Sequence, residues 1–82
     1  MTFEPPQIKG QSVRRMYGTR HGETQATIEC TNAGAWTISA FVKKAGRMWR
    51  AGDVWVEDGK YRSEGIGPFD DFDEVAVHLL AG

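Results

Sequence analysis

The sixteen residues RMWRAGDVWVEDGKYR, Arg47–Arg62, hold Asp58-Gly59 between two extended, aromatic-rich runs. An Asp-Gly pair so placed is a strong signal for a two-residue type I′ hairpin, because both central residues must take positive φ. The turn sets the register: Glu57 faces Lys60, Val56 faces Tyr61, Trp55 faces Arg62 and Val54 faces Ser63. Side chains alternate across a strand. Val54, Val56 and Tyr61 therefore share one face, and Trp55, Glu57, Lys60 and Arg62 share the other. Gly52 marks a bend or bulge, which leaves Arg47–Arg50 as a separate short strand or loop.

Upstream, AWTISAFV (Ala35–Val42) alternates Trp36, Ile38, Ala40 and Val42 against Thr37, Ser39 and Phe41. Its β-branched and aromatic residues make it the best strand in the chain. The first set reads as core. Asn32 and Gly34 turn the chain before it. Ahead of that turn, Ala26, Ile28 and Cys30 alternate with Thr27, Glu29 and Thr31. Val13, Arg15 and Tyr17 predict one face of a further strand that pairs with this one. MTFEPPQIKGQ (residues 1–11) reads as a flexible N-terminal arm, since Pro5 and Pro6 oppose helix and only Phe3 and Ile8 offer apolar anchors.

Downstream, Gly65, Gly67 and Pro68 predict the end of the sheet. Asp70 or Asp71 can cap a helix, and Asp71, with Glu74 three residues on, has capping-box spacing. Phe72, Val75, Ala76 and Leu79 then fall on one helical face, and Leu80 widens it. The expected fold is α+β: an antiparallel β-meander of about 4–5 short strands with one C-terminal α-helix packed on one face. Residues 12–82 form a single domain.

The chain has 82 residues and a net charge of −1. A domain of this size has a thin core, and self-association is one way to bury more apolar surface. The charge is divided: residues 1–50 carry eight Lys/Arg against three Asp/Glu, residues 51–82 two against eight. Basic and acidic halves that attract within the fold explain this split; so does an electropositive surface for an anionic partner. Cys30 is the only cysteine and reads as a small buried hydrophobe. No apolar run is long enough to cross a membrane, and the expected location is the cytoplasm.

Catalytic and metal-binding patterns are weak. Arg20-His21-Gly22-Glu23 is similar to the phosphohistidine signature of the histidine phosphatases. The likeness covers four residues, and those enzymes need a much longer α/β chain. Asp70, Asp71, Asp73 and Glu74 do not follow a calcium-loop pattern and suit a helix N-terminus. No phosphate-cradling loop is present. The expectation is a protein that is not an enzyme, with no metal and no cofactor.

What remains is binding. If the helix covers the Trp36 face, Phe41, Trp55, Lys43, Lys60 and Arg62 lie on the uncovered one. Large apolar groups left together in water mark a contact surface. Phe41, Trp49, Trp55 and Arg62 are the candidate partner contacts, in a non-catalytic, homodimeric interaction module that also binds a protein partner. An exposed Trp55–Arg62 cation–π pair contributes about 0.5–1 kcal/mol. The second reading is a nucleic-acid-binding accessory or regulatory protein using Arg14, Arg15, Arg20, Lys43, Lys44, Arg47 and Arg50. The acidic C-terminal half weighs against it.

Overall fold

In the computed structural model, residues 3–20, 22–42 and 46–81 are described. Six strands follow one another, β1 (Ser12–Thr19), β2 (Gly22–Asn32), β3 (Ala35–Val42), β4 (Arg47–Glu57), β5 (Lys60–Ser63) and β6 (Ile66–Phe69), before helix α1 (Phe72–Ala81). Each strand pairs antiparallel with the next, so the spatial order is the chain order. The helix touches β1, β4, β5 and β6. A sheet whose two edge strands both reach one helix must curl around it.

The hairpin forms with the expected register: Trp55 opposite Arg62, Val56 opposite Tyr61, Glu57 opposite Lys60. Asp58 and Gly59 have φ of 54° and 75°, the positive values a type I′ turn requires. Upstream, the outcome differs in part from expectation. The register between β3 and β4 does shift at Ala51, since Ser39 faces Arg50 and Ile38 faces Gly52. Yet Arg47–Arg50 is not separate; β4 runs unbroken through the irregularity for 11 residues. A bulge adds one residue and bends a strand without ending its pairing.

The core lies between the sheet and α1. Ala26, Ile28, Cys30, Trp36, Ile38, Ala40 and Val54 point inward from the sheet, and Phe72, Val75, Ala76 and Leu80 meet them from the helix. A fully buried Ile, Val or Phe side chain contributes about 1.5–3 kcal/mol. Ten residues are too few for a stable isolated helix, so this packing maintains it. Asp71 caps it: the Asp73 amide donates to Asp71 Oδ1 (3.1 Å). Leu79, expected on the buried face with Leu80 only widening it, is partly buried, and Leu80 is the deeper residue.

A further sequence expectation needs correction. Gly65, Gly67 and Pro68 do not end the sheet: Gly65 (φ 72°) turns the chain back, and Ile66–Phe69 becomes β6. An edge strand leaves one row of amides unpaired, so proline is tolerated there. The described part of the N-terminal arm, residues 3–11, lies against the domain. Pro5 is fully buried, Phe3 packs on Phe72, and Gly10 and Gln11 extend the ladder to Cys30.

Candidate functional site

The sheet has one face under α1 and one face uncovered. Strand alternation decides which residues reach the uncovered face. On β3, Trp36, Ile38 and Ala40 are buried, so Thr37, Ser39 and Phe41 point outward. Register carries this assignment to the neighbours. Met48 is opposite Phe41, and Met16 is opposite Gln25. The β2–β3 ladder places Ala26 opposite Ala40, which brings Gln25 beside Phe41. Met16, Gln25, Phe41 and Met48 thus form one row running across four strands. The three apolar members are exposed: Met16 by 54%, Phe41 by 47% and Met48 by 50%. A shallow depression of about 460 Å³ at this row is lined by Met16, Glu23, Thr24, Gln25 and Phe41.

The adjacent outward row is polar: Arg14, Thr27, Ser39 and Arg50. The next is Ser12, Glu29, Thr37 and Asp53. Arg50 Nη2 meets Asp53 Oδ2 at 2.6 Å, and Thr37 Oγ1 donates to Asp53 Oδ1 (2.9 Å). The Arg50 hydrogen bond, ahead of that from Thr37, holds the Asp53 carboxyl below the usual carboxylate range. The uncovered face therefore carries an apolar row, then a basic row, then an acidic one.

The four expected partner contacts do not form one cluster. Phe41 belongs to the apolar row. Trp55 and Arg62 are cross-strand neighbours at the far end of the same face. Arg62 Nη1 donates to Glu57 Oε2 (2.7 Å), and its Nε is buried with no hydrogen-bond partner among the described residues. Trp55 is half-buried and lines a cleft of about 450 Å³ with Arg50, Asp53, Ser63 and Leu79. Trp49 lies opposite Ala40, on the helix-bearing side, and is 41% exposed at its margin. The extra residue at Ala51 explains the misplacement. It inverts the alternation within β4, so Trp49 and Trp55, six positions apart, face opposite ways.

The basic residues are also dispersed. Arg15 points to the helix side, where its Nε and Nη2 donate to Asp73 Oδ1 (3.0 Å) and Oδ2 (2.7 Å). Tyr17 Oη donates to the same Oδ1 (2.7 Å). Burial first, and then this bond to a carboxylate, raise the Tyr17 phenol well above its ordinary value. Arg20 donates to the Ala81 carbonyl at the end of α1 (3.1 Å). Arg14 and Arg47 are exposed and make no ion pair among the described residues. Lys43, Lys44 and His21 lie outside the described residues. Sequence reasoning passed over Met16 and Met48. For Met16 a signal was available, since it is one position out of phase with Tyr17 on a strand whose Val13, Arg15 and Tyr17 share the other face; for Met48 there was none, because its face depends on the β4 bulge.

No group of three His, Cys, Asp or Glu side chains converges on a metal-sized site among the described residues. No helix among them is long and apolar enough to cross a membrane. Comparison with known proteins brings no family model, characterised protein or solved structure into significant match.

Proposed function

We propose that this protein is a non-catalytic interaction module, and that its uncovered sheet face is the contact surface through which it self-associates. The observation that carries this reading is the row of Met16, Phe41 and Met48, half-exposed and aligned across β1, β3 and β4. Scattered exposed apolar residues are ordinary, but three large ones in a single row beside a shallow depression mark a binding surface. Methionine suits such a surface, because its unbranched thioether adapts to the opposing shape.

A second copy fits this face for two reasons. The first is charge. A two-fold contact sets a surface against itself, so it needs both signs. Here Arg14 lies one row from Glu29, which allows the basic row of one copy to meet the acidic row of the other. The second is area. The molecule measures 38 × 26 × 25 Å along its principal axes. A stable interface takes about 800 Å² from each partner, which corresponds to most of one broad face. The apolar row is short and the rest of the face polar, so the contact is weak. Association loses at least several kcal/mol of rigid-body freedom before any surplus appears.

Sedimentation velocity over a concentration series tests the reading. The wild-type chain is expected to show a monomer–dimer equilibrium in the micromolar range. Phe41→Glu and Met48→Glu place a charge in the row and should each leave a monomer with an unchanged unfolding midpoint. A wild-type chain that sediments as a monomer throughout contradicts self-association. A dimer unaffected by both substitutions contradicts the placement.

A further inference from the structure

The N-terminal arm is seated in a groove of its own, and how it is held sets it apart from the other segments. Residues 3–8 cross the end of the core where Trp36, Tyr61 and Phe72 meet, with ring centroids 5.5 to 5.7 Å apart. Pro5 is fully buried there. Trp36 Nε1 donates to the Pro6 carbonyl (2.6 Å), and Gln7 Nε2 donates to the Pro5 carbonyl (3.2 Å). Phe3 meets the edge of Phe72 at 5.7 Å, and the Arg15 guanidinium lies 4.2 Å over the Phe3 ring. Burial first, and then the Glu4 and Asp71 charges, raise the Tyr61 phenol above its ordinary value. An indole N–H on a proline carbonyl, beside a buried proline, resembles the way extended proline segments are gripped as ligands.

One tight turn joins this arm to the sheet. The Gln11 amide donates to the Ile8 carbonyl (3.0 Å), and Gly10 has φ 91°. Within the turn the Gly10 amide also donates to Cys30 O (2.8 Å), and after it the Cys30 amide donates to Gln11 O (2.9 Å). Residues after the turn are thus fixed by the ladder. Residues before it are held by side-chain packing and the indole bond. The turn is the boundary between the two, and the candidate hinge.

We propose that residues 3–8 are an exchangeable arm, and that its partner is the Trp36–Tyr61–Phe72 groove of a second copy of this chain. The segment of known fit to the groove is this one, and a second copy carries it. Exchange remakes every arm contact in trans and alters only the hinge. Pro5 and Pro6 keep the released arm extended, so little order is lost while it is free. A tethered arm faces its own groove at an effective concentration of roughly millimolar, so the hinge conformation decides the balance. Gly10 is the residue that permits the closed turn. A Cβ at this position would meet nothing within 4 Å, so a side chain there acts on the backbone alone, opposing the positive φ and opening the turn. This proposal does not rest on the uncovered sheet face.

The test uses the full chain in a Phe41→Glu background, which removes association through the sheet face. Sedimentation equilibrium compares Gly10 with Gly10→Val, up to about millimolar chain, the effective concentration of the tethered arm. The expected result is a dimer at the highest concentrations, with the dimerisation constant raised about tenfold or more by Gly10→Val, the size of a positive-φ penalty. Isotope-filtered NOEs should connect Phe3 of one copy to Phe72 of the other. Two results overturn the proposal: both chains monomeric up to millimolar concentration, or dimers with no intermolecular Phe3–Phe72 NOE. A monomeric chain that captures a synthetic peptide of residues 1–9 also overturns it, since the groove then takes a proline segment without exchange.

Discussion

Asp73 joins three parts of the chain through two oxygens. It accepts two bonds from Arg15 and one from Tyr17, and it stands in the first turn of α1, where a negative charge is favoured. Asp73→Ala removes all of these and leaves the buried Tyr17 hydroxyl without its acceptor. The expected loss in chemical denaturation is about 2 kcal/mol. Asp73→Asn, which keeps an acceptor oxygen, should lose less. Tyr17 also gives a pH dependence. Its folded-state pKa is raised, so the contribution is complete below the unfolded value of about 10. It declines as pH rises from there toward the higher folded value, because the unfolded chain releases the proton first. Unfolding midpoints should fall above about pH 10, and Tyr17→Phe should flatten most of that slope. A slope unchanged in Tyr17→Phe would assign the effect elsewhere, Tyr61 being the next group whose phenol is raised. Gly67 is a third test at this scale. Its φ is 92°, and a Cβ would sit 2.9 Å from the Tyr61 carbonyl oxygen, a backbone atom that cannot swing away. Gly67→Ala should destabilise by about 2 kcal/mol or more.

Among the elements, the β4–β5 hairpin was the most legible, and its logic is local. Asp58-Gly59 fixes the turn, the turn fixes the register, and three of the four expected pairs are found, the ladder ending before Val54 and Ser63. Gly59→Ala, at φ 75°, should lose about 1 kcal/mol, whereas Asp58→Asn should change stability little. The core strand Ala35–Val42 and the Asp71 cap were legible for the same reason: a short periodic pattern or a capping side chain carries its own signal. The face of Trp49 was not. A bulge is one residue of slippage; Gly52 signals a bend or bulge in RMWRAGDV, but not that the strand continues through it with Ala51 as the extra residue. One slip reverses every side chain before it. The strand β6 was hidden for another reason. Gly-Ile-Gly-Pro-Phe has the composition of a breaker, and only its position at the sheet edge makes proline acceptable. The arm looks loose in sequence because proline is a weak apolar signal, yet Pro5 is fully buried, as Ile28 is.

At the scale of the whole molecule, the divided charge has an internal use. Arg15 of the basic half meets Asp73 of the acidic half across 58 residues of chain, and Arg50 meets Asp53. These pairings account for part of the basic surplus that the sequence left open to an anionic partner. Nucleic-acid binding would then fall to Arg14, Arg47 and residues near them. With few phosphates neutralised, its affinity should be slight even at low salt and its salt dependence shallow. The larger unassigned feature is the uncovered face. Its apolar row was only partly legible: Phe41 follows from strand alternation, but its alignment with Met16 and Met48 depends on the registers of three strand pairs. The most direct measurement is the concentration dependence of amide chemical shifts in the wild-type chain. The account predicts shifts at Met16, Gln25, Phe41, Met48 and their outward neighbours as concentration rises through the micromolar range, with α1 unmoved. Shifts confined to α1, or none up to millimolar concentration, would contradict it.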